Sequence, residues 1–210
     1  MKYLGKPAGM WALFAGSFEK HLTVEFDLTA GQAKDVAARA KKKYREIIAK
    51  LPEFDKRDRF EMNIVNCAML AAFILCMPQR PDIKTLTDYY AAAMMTATMK
   101  AFCRASGKKK FTPKDIEGMK ATAKLRAGDR NPYSWNMDFF EYEDGSGYEA
   151  RFTTCGICTL MQVLGLYDLT PALCHLDYTM SDAGGASDFV REYTLASGGP
   201  YCDCGYHKKQ

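Results

Sequence analysis

The chain has 210 residues, 48% of them hydrophobic and 26% charged, and a net charge of +4. This composition is typical of a globular protein able to bury a sizeable core, and it excludes a disordered or fibrous chain. The longest apolar stretch, from Cys67 to Met77, has 11 residues and is too short to span a bilayer, so no membrane association is predicted.

Helices are predicted throughout the first 130 residues, because apolar side chains recur at helical spacing between cap and stop residues. Thr29 and Thr112-Pro113 are typical helix starts, and Pro52 and Pro78 are stops. The predicted helices are Gly9 to Leu22, Ala30 to about Leu51, Asp55 or Asp58 to Met77, Ile83 to about Ala105, and Pro113 to about Ala127.

The pattern changes near Gly128, where turn residues separate shorter segments. Four strands in two hairpin-like pairs are predicted, with two short helices between the pairs. The strands are Trp135 to Tyr142, Tyr148 to Thr154, Phe189 to Leu195 and Tyr201 to His207; the helices are Gly156 to Leu166 and Pro171 to Thr179, the latter with Thr170 as N-cap, followed by a flexible loop from Asp182 to Gly185.

These elements predict an α+β fold, in which a helical N-terminal half packs with a small antiparallel sheet and short helices in the C-terminal half. Residues 1–130 form a helical lobe and residues 131–210 an α+β lobe, as two lobes of one domain or as separate units. The first range carries 25 Lys and Arg against 14 Asp and Glu, and the second 4 against 11. Opposite charges of this kind favour docking of one lobe on the other.

The basic runs Lys41 to Lys43 and Lys108 to Lys110 lack interleaved aromatic residues, so they indicate solvated surfaces and no nucleic-acid partner.

The start, Met1 to Pro7, lacks the apolar region of a secretory leader, which predicts a cytoplasmic protein. Cytoplasmic thiols stay reduced, so the cysteines are expected to be catalytic, metal-binding or buried. The oligomeric state is left open.

Five of the eight cysteines lie in the last 56 residues, beside Asp177, Arg191 and Asp203. Thiols at turns and strand ends next to ionisable groups indicate chemistry rather than packing. Among them, Cys155 lies where a strand meets a helix, and a helix N-terminus lowers the pKa of a thiol there. Cys155 is therefore the nucleophile favoured by local physics.

The same thiols allow a second interpretation, a zinc site. Zinc prefers four tetrahedral ligands, often supplied by C-x2-C pairs. Cys155 and Cys158 have that spacing, and Cys174 and Cys202 could complete the set. The sequence therefore allows both a nucleophilic cysteine and a zinc site.

Arg191 is expected between Phe189 and Tyr193 on one strand face, where its permanent charge needs an anionic partner. It either pairs with Asp177 or Asp203 as a structural ion pair, or clamps the carboxylate of a substrate, and both can hold together.

Five segments resemble the L-2-amino-thiazoline-4-carboxylic acid hydrolase family, clearly over about residues 130–207. They are Cys155-Gly-Ile-Cys-Thr-Leu160, Cys174-His-Leu-Asp-Tyr178, Phe189-x-Arg191, Thr194-Leu-Ala-Ser-Gly198 and Tyr201-Cys-Asp-Cys-Gly-Tyr206. The matching positions are Cys155, Cys174, Asp177, Arg191, Thr194, Gly198, Cys202 and Asp203. Cys158 and Cys204 look like additions within a subgroup.

The resemblance implies a hydrolase that acts on non-peptide C–N and C–S ring bonds and opens a 2-amino-thiazoline carboxylate to a carbamoyl-cysteine. Its implied substrate is a small carboxylate-bearing molecule, and a thiolate mechanism needs no cofactor. Cys155 or Cys174 would be the nucleophile, with Asp177 or, second, Asp203 as the orienting or acid–base group. Arg191 would bind substrate, with Tyr193 and Thr194 beside it. The alternative function is a non-enzymatic module on the same scaffold that binds zinc or a small ligand.

Overall fold

The computed structural model describes residues 6–128 and 130–209, so the start of the chain, on which the leader prediction partly rests, lies outside them. The N-terminal part is helical, as predicted. Its helices are α1 (Lys6–Glu25), α2 (Ala30–Lys50), α3 (Glu61–Cys76), α4 (Ile83–Met94), α5 (Ala97–Gly107) and α6 (Pro113–Arg126).

Helix α3 lies at the centre of the core, because its middle is apolar nearly all round and is buried from Val65 to Ile74 apart from Asn66. Helix α2 packs along it and begins with a capping box, in which the Thr29 hydroxyl accepts from the Gln32 N–H and the Gln32 side chain accepts from the Thr29 N–H. The predicted N-cap of α2 is therefore confirmed, as is that of α6 at Thr112.

Two helix predictions in this half are wrong in detail. Helix α3 begins at Glu61 rather than at Asp55 or Asp58, because Asp58 is buried in an ion pair with Arg126 at 3.2 Å, and both side chains are 1% exposed. The predicted helix from Ile83 to Ala105 is two helices, which are separated at Met95 and Thr96. The Thr96 hydroxyl accepts from the Met99 N–H and so caps α5.

One antiparallel sheet of four strands, in the order β1-β2-β4-β3, follows in the chain. The fold class is therefore confirmed as α+β. The strands β1 and β2 form one hairpin, and β4 lies between β2 and β3. The bounds are β1 (Asp138–Glu141), β2 (Gly147–Phe152), β3 (Ser187–Val190) and β4 (Cys202–Lys208), with α7 (Gly156–Val163), α8 (Thr170–Cys174) and α9 (Leu176–Gly184) between β2 and β3 and 3-10 turns at Tyr167–Leu169 and Leu195–Ser197.

Three features of this half differ from prediction. Strand β3 ends at Val190, so Arg191 and Tyr193 do not lie on a strand. The helix predicted from Pro171 is split at His175 into α8 and α9, and its N-cap is Leu169 rather than Thr170. The segment predicted as a loop from Asp182 forms the end of α9, which Gly185 terminates in the left-handed conformation that glycine adopts without strain.

The largest buried cluster contains residues from both sides of position 130: α1 to α4 contribute together with Trp135, Leu160 and Leu176. A smaller cluster of Met137, Ala150, Phe189 and Cys204 underlies the sheet. The division into two lobes stays a prediction. Among the described residues, no helix combines the length and the apolar character needed to cross a bilayer.

Candidate functional site

Cys155 lies at the junction where the chain leaves β2 and begins α7, as predicted. Asn136 holds this junction, because its side-chain oxygen accepts from the N–H groups of Thr153 and Thr154, at 2.9 and 2.8 Å. Gly156 permits a close approach to the preceding loop: a Cβ at Gly156 would lie 2.1 Å from the carbonyl oxygen of Tyr133. The Cys155 thiol is thus positioned by contacts on both sides.

The Cys155 thiol is stabilised as a thiolate, and its pKa is lowered to about 7. The Cys158 thiol is the largest cause, since it donates a hydrogen bond to Cys155, and the N–H groups of Ile157 and Cys158 and the Trp135 side chain add to it. Burial acts in the opposite direction. The pKa of Cys158 is raised by the same bond and by burial. The two thiols therefore differ in acidity, and Cys155 is the more acidic of the two.

The other thiols of the group are held in the protonated form. Burial raises the pKa of Cys174 and of Cys202, and it raises that of Cys204 to about 12. The Cys202 sulfur accepts from the Leu195 N–H at 3.2 Å. Of the two nucleophiles that the sequence left open, the electrostatics favour Cys155 over Cys174.

The Arg191 guanidinium connects the thiols to Asp177. It donates to the Asp177 carboxylate at 2.6 Å, to the Cys204 sulfur at 2.8 Å, and to the carbonyl oxygens of Cys174 and Asp203 at 3.0 and 3.2 Å. The Arg191 side chain is only 6% exposed, whereas that of Asp177 is 44% exposed. The structural ion pair that the sequence allowed is thus present, and its carboxylate remains accessible.

Asp203, Thr194 and Tyr193 shape the loop between β3 and β4. Both carboxylate oxygens of Asp203 accept backbone N–H groups at 2.7 Å, from Glu192 and Tyr193. The Thr194 hydroxyl caps the 3-10 turn by accepting from the Ser197 N–H. The Tyr193 ring packs edge-on against Tyr201. These contacts hold the loop in place around Arg191.

The zinc alternative finds no support. Within residues 6–128 and 130–209, no three His, Cys, Asp or Glu side chains are grouped as metal ligands. Cys155, Cys158, Cys174 and Cys202 are near enough to affect one another's pKa. However, the first two share one helical turn, Cys174 ends a different helix, and the Cys202 sulfur is engaged by a backbone N–H. The four sulfurs come from three separate elements, which are the start of α7, the end of α8 and the start of β4.

Asp177 also lines a cavity of about 280 Å³. Of the site residues predicted from the sequence, only Asp177 lines it. Sequence reasoning missed Trp135 and Asn136, which contact the Cys155 junction, and Lys110, which lines the cavity. The C-terminal motif gives no signal for them, because the three lie 19 to 45 positions earlier in the chain.

Comparison with family models gives a match to L-2-amino-thiazoline-4-carboxylic acid hydrolase over residues 62–206, which extends into the helical half. Comparisons with curated proteins and with solved structures each return no match. The family match covers more than half of the chain and includes Cys155, Cys174, Asp177, Arg191 and Cys202. The chain therefore belongs to the L-2-amino-thiazoline-4-carboxylic acid hydrolase family.

Proposed function

We propose that this protein is a hydrolase that opens the ring of a 2-amino-thiazoline carboxylate to a carbamoyl-cysteine, with Cys155 as nucleophile. The observation that carries the proposal is the Cys155 thiol, partly exposed at the start of α7 and with its pKa lowered to about 7. A thiolate available near neutral pH is what attack on an amidine-like carbon requires.

The chemistry divides into two steps. The Cys155 sulfur adds to the ring carbon between sulfur and nitrogen, the carbon–sulfur bond of the ring breaks, and the released substrate sulfur takes a proton. Water then adds to the same carbon, Cys155 leaves as thiolate, and the carbon becomes the carbonyl of the carbamoyl group. Cys158, which holds its proton, is the donor nearest to Cys155 for these transfers.

Asp177 is proposed to bind the amidine-like nitrogens of the ring, since its carboxylate is accessible and is fixed by Arg191. Arg191 acts as a positioning residue in this scheme, because four protein acceptors already occupy its guanidinium. The guanidinium has five N–H donors, so at most one is left for a substrate carboxylate. The free state of all eight cysteines suits a reducing compartment, and we propose a cytoplasmic location on that ground.

The test compares Cys155→Ser with Cys174→Ser. Ring opening releases a thiol, so turnover is followed with a colorimetric thiol reagent after the protein is removed. We expect Cys155→Ser to lower kcat by about a thousandfold or more, since a serine hydroxyl stays protonated. Cys174→Ser should retain most activity, because Cys174 is held as the thiol. Cys76→Ser, at a buried position in α3, controls for the substitution itself. Unchanged kcat in Cys155→Ser would contradict the proposal.

A further inference from the structure

The cavity beside Asp177 is bounded by α5, α6, α9 and the sheet, and it lies outside the thiol group. The charged and tyrosine side chains that line it are Arg59, Lys110, Asp115, Tyr148, Asp177 and Tyr206. Helices α5 and α9 meet closely at its edge, since a Cβ at Gly107 would lie 2.3 Å from the carbonyl oxygen of Gly184. With about 280 Å³ the cavity is just below the usual size of small-molecule sites, and its lining combines apolar surface with a few charged groups.

Both carboxylates of the cavity already have partners. Asp177 is bound by Arg191. One oxygen of Asp115 accepts from the Phe111 N–H at 2.9 Å and from the Tyr148 hydroxyl at 3.1 Å. The negative charges of the wall are therefore satisfied by the protein.

The two cations that line the cavity lack partners as strong as those of its carboxylates. The Lys110 ammonium lies 3.2 Å from the centroid of the Tyr206 ring and 5.3 Å from that of Tyr148, and it has no hydrogen bond to an acceptor in the described parts of the chain. Arg59 donates only to the Thr122 hydroxyl and the Met119 sulfur. Within those parts neither cation pairs with a carboxylate.

Lys110 is partly shielded from water by its surroundings. Burial lowers the pKa of its amine to about 8, against the opposing effect of Asp115. A half-buried ammonium with unused N–H donors gains a charge-assisted hydrogen bond when an anion enters. Arg191 neutralises Asp177, so Arg59 and Lys110 face only the charge of Asp115, and the remaining positive charge matches a singly charged anion.

We propose that this cavity binds a small organic monocarboxylate with an apolar or aromatic body, anchored by Lys110. Arg59 supplies the second positive charge of the wall, and the rings of Tyr148 and Tyr206 contact the body of the ligand. Met119 and Met180 also line the cavity, so their methyl groups report on its occupancy. The cavity shares Asp177 with the site proposed for ring opening, but none of the C-terminal cysteines lines it, so the binding goes beyond that reaction.

The test titrates benzoate and its neutral counterpart benzamide into protein with isotope-labelled methionine methyl groups, observed by NMR. We expect benzoate to shift the Met119 and Met180 signals, assigned by Met→Leu variants, and to bind about tenfold or more tightly than benzamide. Lys110→Met should remove that difference, and Lys110→Arg should restore it. Lys109→Met removes the same charge from an exposed neighbouring position and should leave benzoate affinity within about twofold of the unmodified protein.

Three outcomes would overturn the proposal. Benzoate and benzamide could bind the unmodified protein equally, which needs no variant to fold. The shifts could fall on methionines outside the cavity, or be absent at millimolar ligand. Phenyl phosphate could bind more tightly than benzoate, which would identify a phosphate site instead. Each of them leaves the Cys155 prediction standing, so failure here and failure of the proposed function are distinguishable.

Discussion

The hydrogen bond from the Cys158 thiol lowers the pKa of Cys155, and this effect can be measured without a substrate. Alkylation by iodoacetamide requires the thiolate, so the Cys155 rate should be half-maximal near a pH of about 7 and level off above it. Below the pKa the rate should fall about tenfold per pH unit, because the sulfur is protonated. Peptide mass spectrometry after a short exposure identifies the alkylated cysteine.

The matched variant is Cys158→Ala, which removes the thiol that lowers the Cys155 pKa most. Its midpoint should move upward, toward the ordinary cysteine value of about 8.5, and the rate at neutral pH should fall. An unmoved midpoint would show that the helix N-terminus and Trp135 alone set the acidity of Cys155.

Individual site residues were predictable where local sequence determines their environment. The position of Cys155 at a helix N-terminus could be predicted, because the pattern of a strand followed by a short helix is visible in the sequence. The contribution of Trp135 could not, since it depends on a loop that reaches the thiol from 20 positions earlier. Arg191 was expected on a strand, but Asp203 accepts the next two backbone N–H groups and ends the strand register before it.

At the scale of elements, the start of α7 depends on the absence of a side chain at Gly156. Gly156→Ala should destabilise the fold by about 1–3 kcal/mol, because the added Cβ meets the Tyr133 carbonyl at 2.1 Å and the Ile64 side chain at 3.0 Å. Gly118→Ala, inside α6 with open space around it, should instead stabilise by about 0.5–1 kcal/mol. Urea unfolding followed by circular dichroism measures both, and equal effects of the two substitutions would refute the steric explanation.

The Thr caps of α2 and α6 were predicted correctly, whereas the cap expected at Thr170 and the helix interruptions were not. Thr29 and Thr112 are local signals, with their partners three residues away. The breaks at Thr96 and His175 lie among residues that could continue a helix, so they are decided by packing against distant elements. Helix α4 packs on α1, whereas α5 packs on α9, and no single straight helix does both.

For the whole molecule, the Asp58–Arg126 pair ties the start of α3 to the end of α6 and to the loop before β1. Arg126 also donates to the Trp135 carbonyl at 2.9 Å and to the Ser134 hydroxyl at 2.8 Å. Asp58→Ala should cost about 3–5 kcal/mol of unfolding free energy, since a buried guanidinium loses its counter-charge. Arg126→Met should cost a similar amount.

The double variant gives the control for this pair. Because the second substitution removes the charge that the first leaves unpaired, the two costs should be clearly less than additive in urea unfolding. Additive costs would show that the two residues stabilise the protein independently. Arg59→Met, an exposed neighbour of the same charge, should change stability by about 0.5 kcal/mol or less.

The α+β class was readable from the change of pattern near residue 130, because hydrophobic periodicity and turn residues are properties of the sequence itself. The order of strands was not. Two hairpins were expected, and the structure joins them through pairing of β2 with β4, which brings Phe152 opposite Cys202. This pairing across 50 positions brings the start of β4 close to the Cys155 junction.

The strand latest in chain order lies in the interior of the sheet, where β4 pairs with both β2 and β3. During synthesis, residues 202–208 have therefore to leave the ribosome before β2 and β3 can pair with β4, while the hairpin of β1 and β2 and the N-terminal helices can already assemble. A nascent chain that ends before this strand would contain Cys155 and Cys174, but it would lack Asp203, which holds the loop. The loop around Arg191 should therefore take its final form only once β4 has been synthesised.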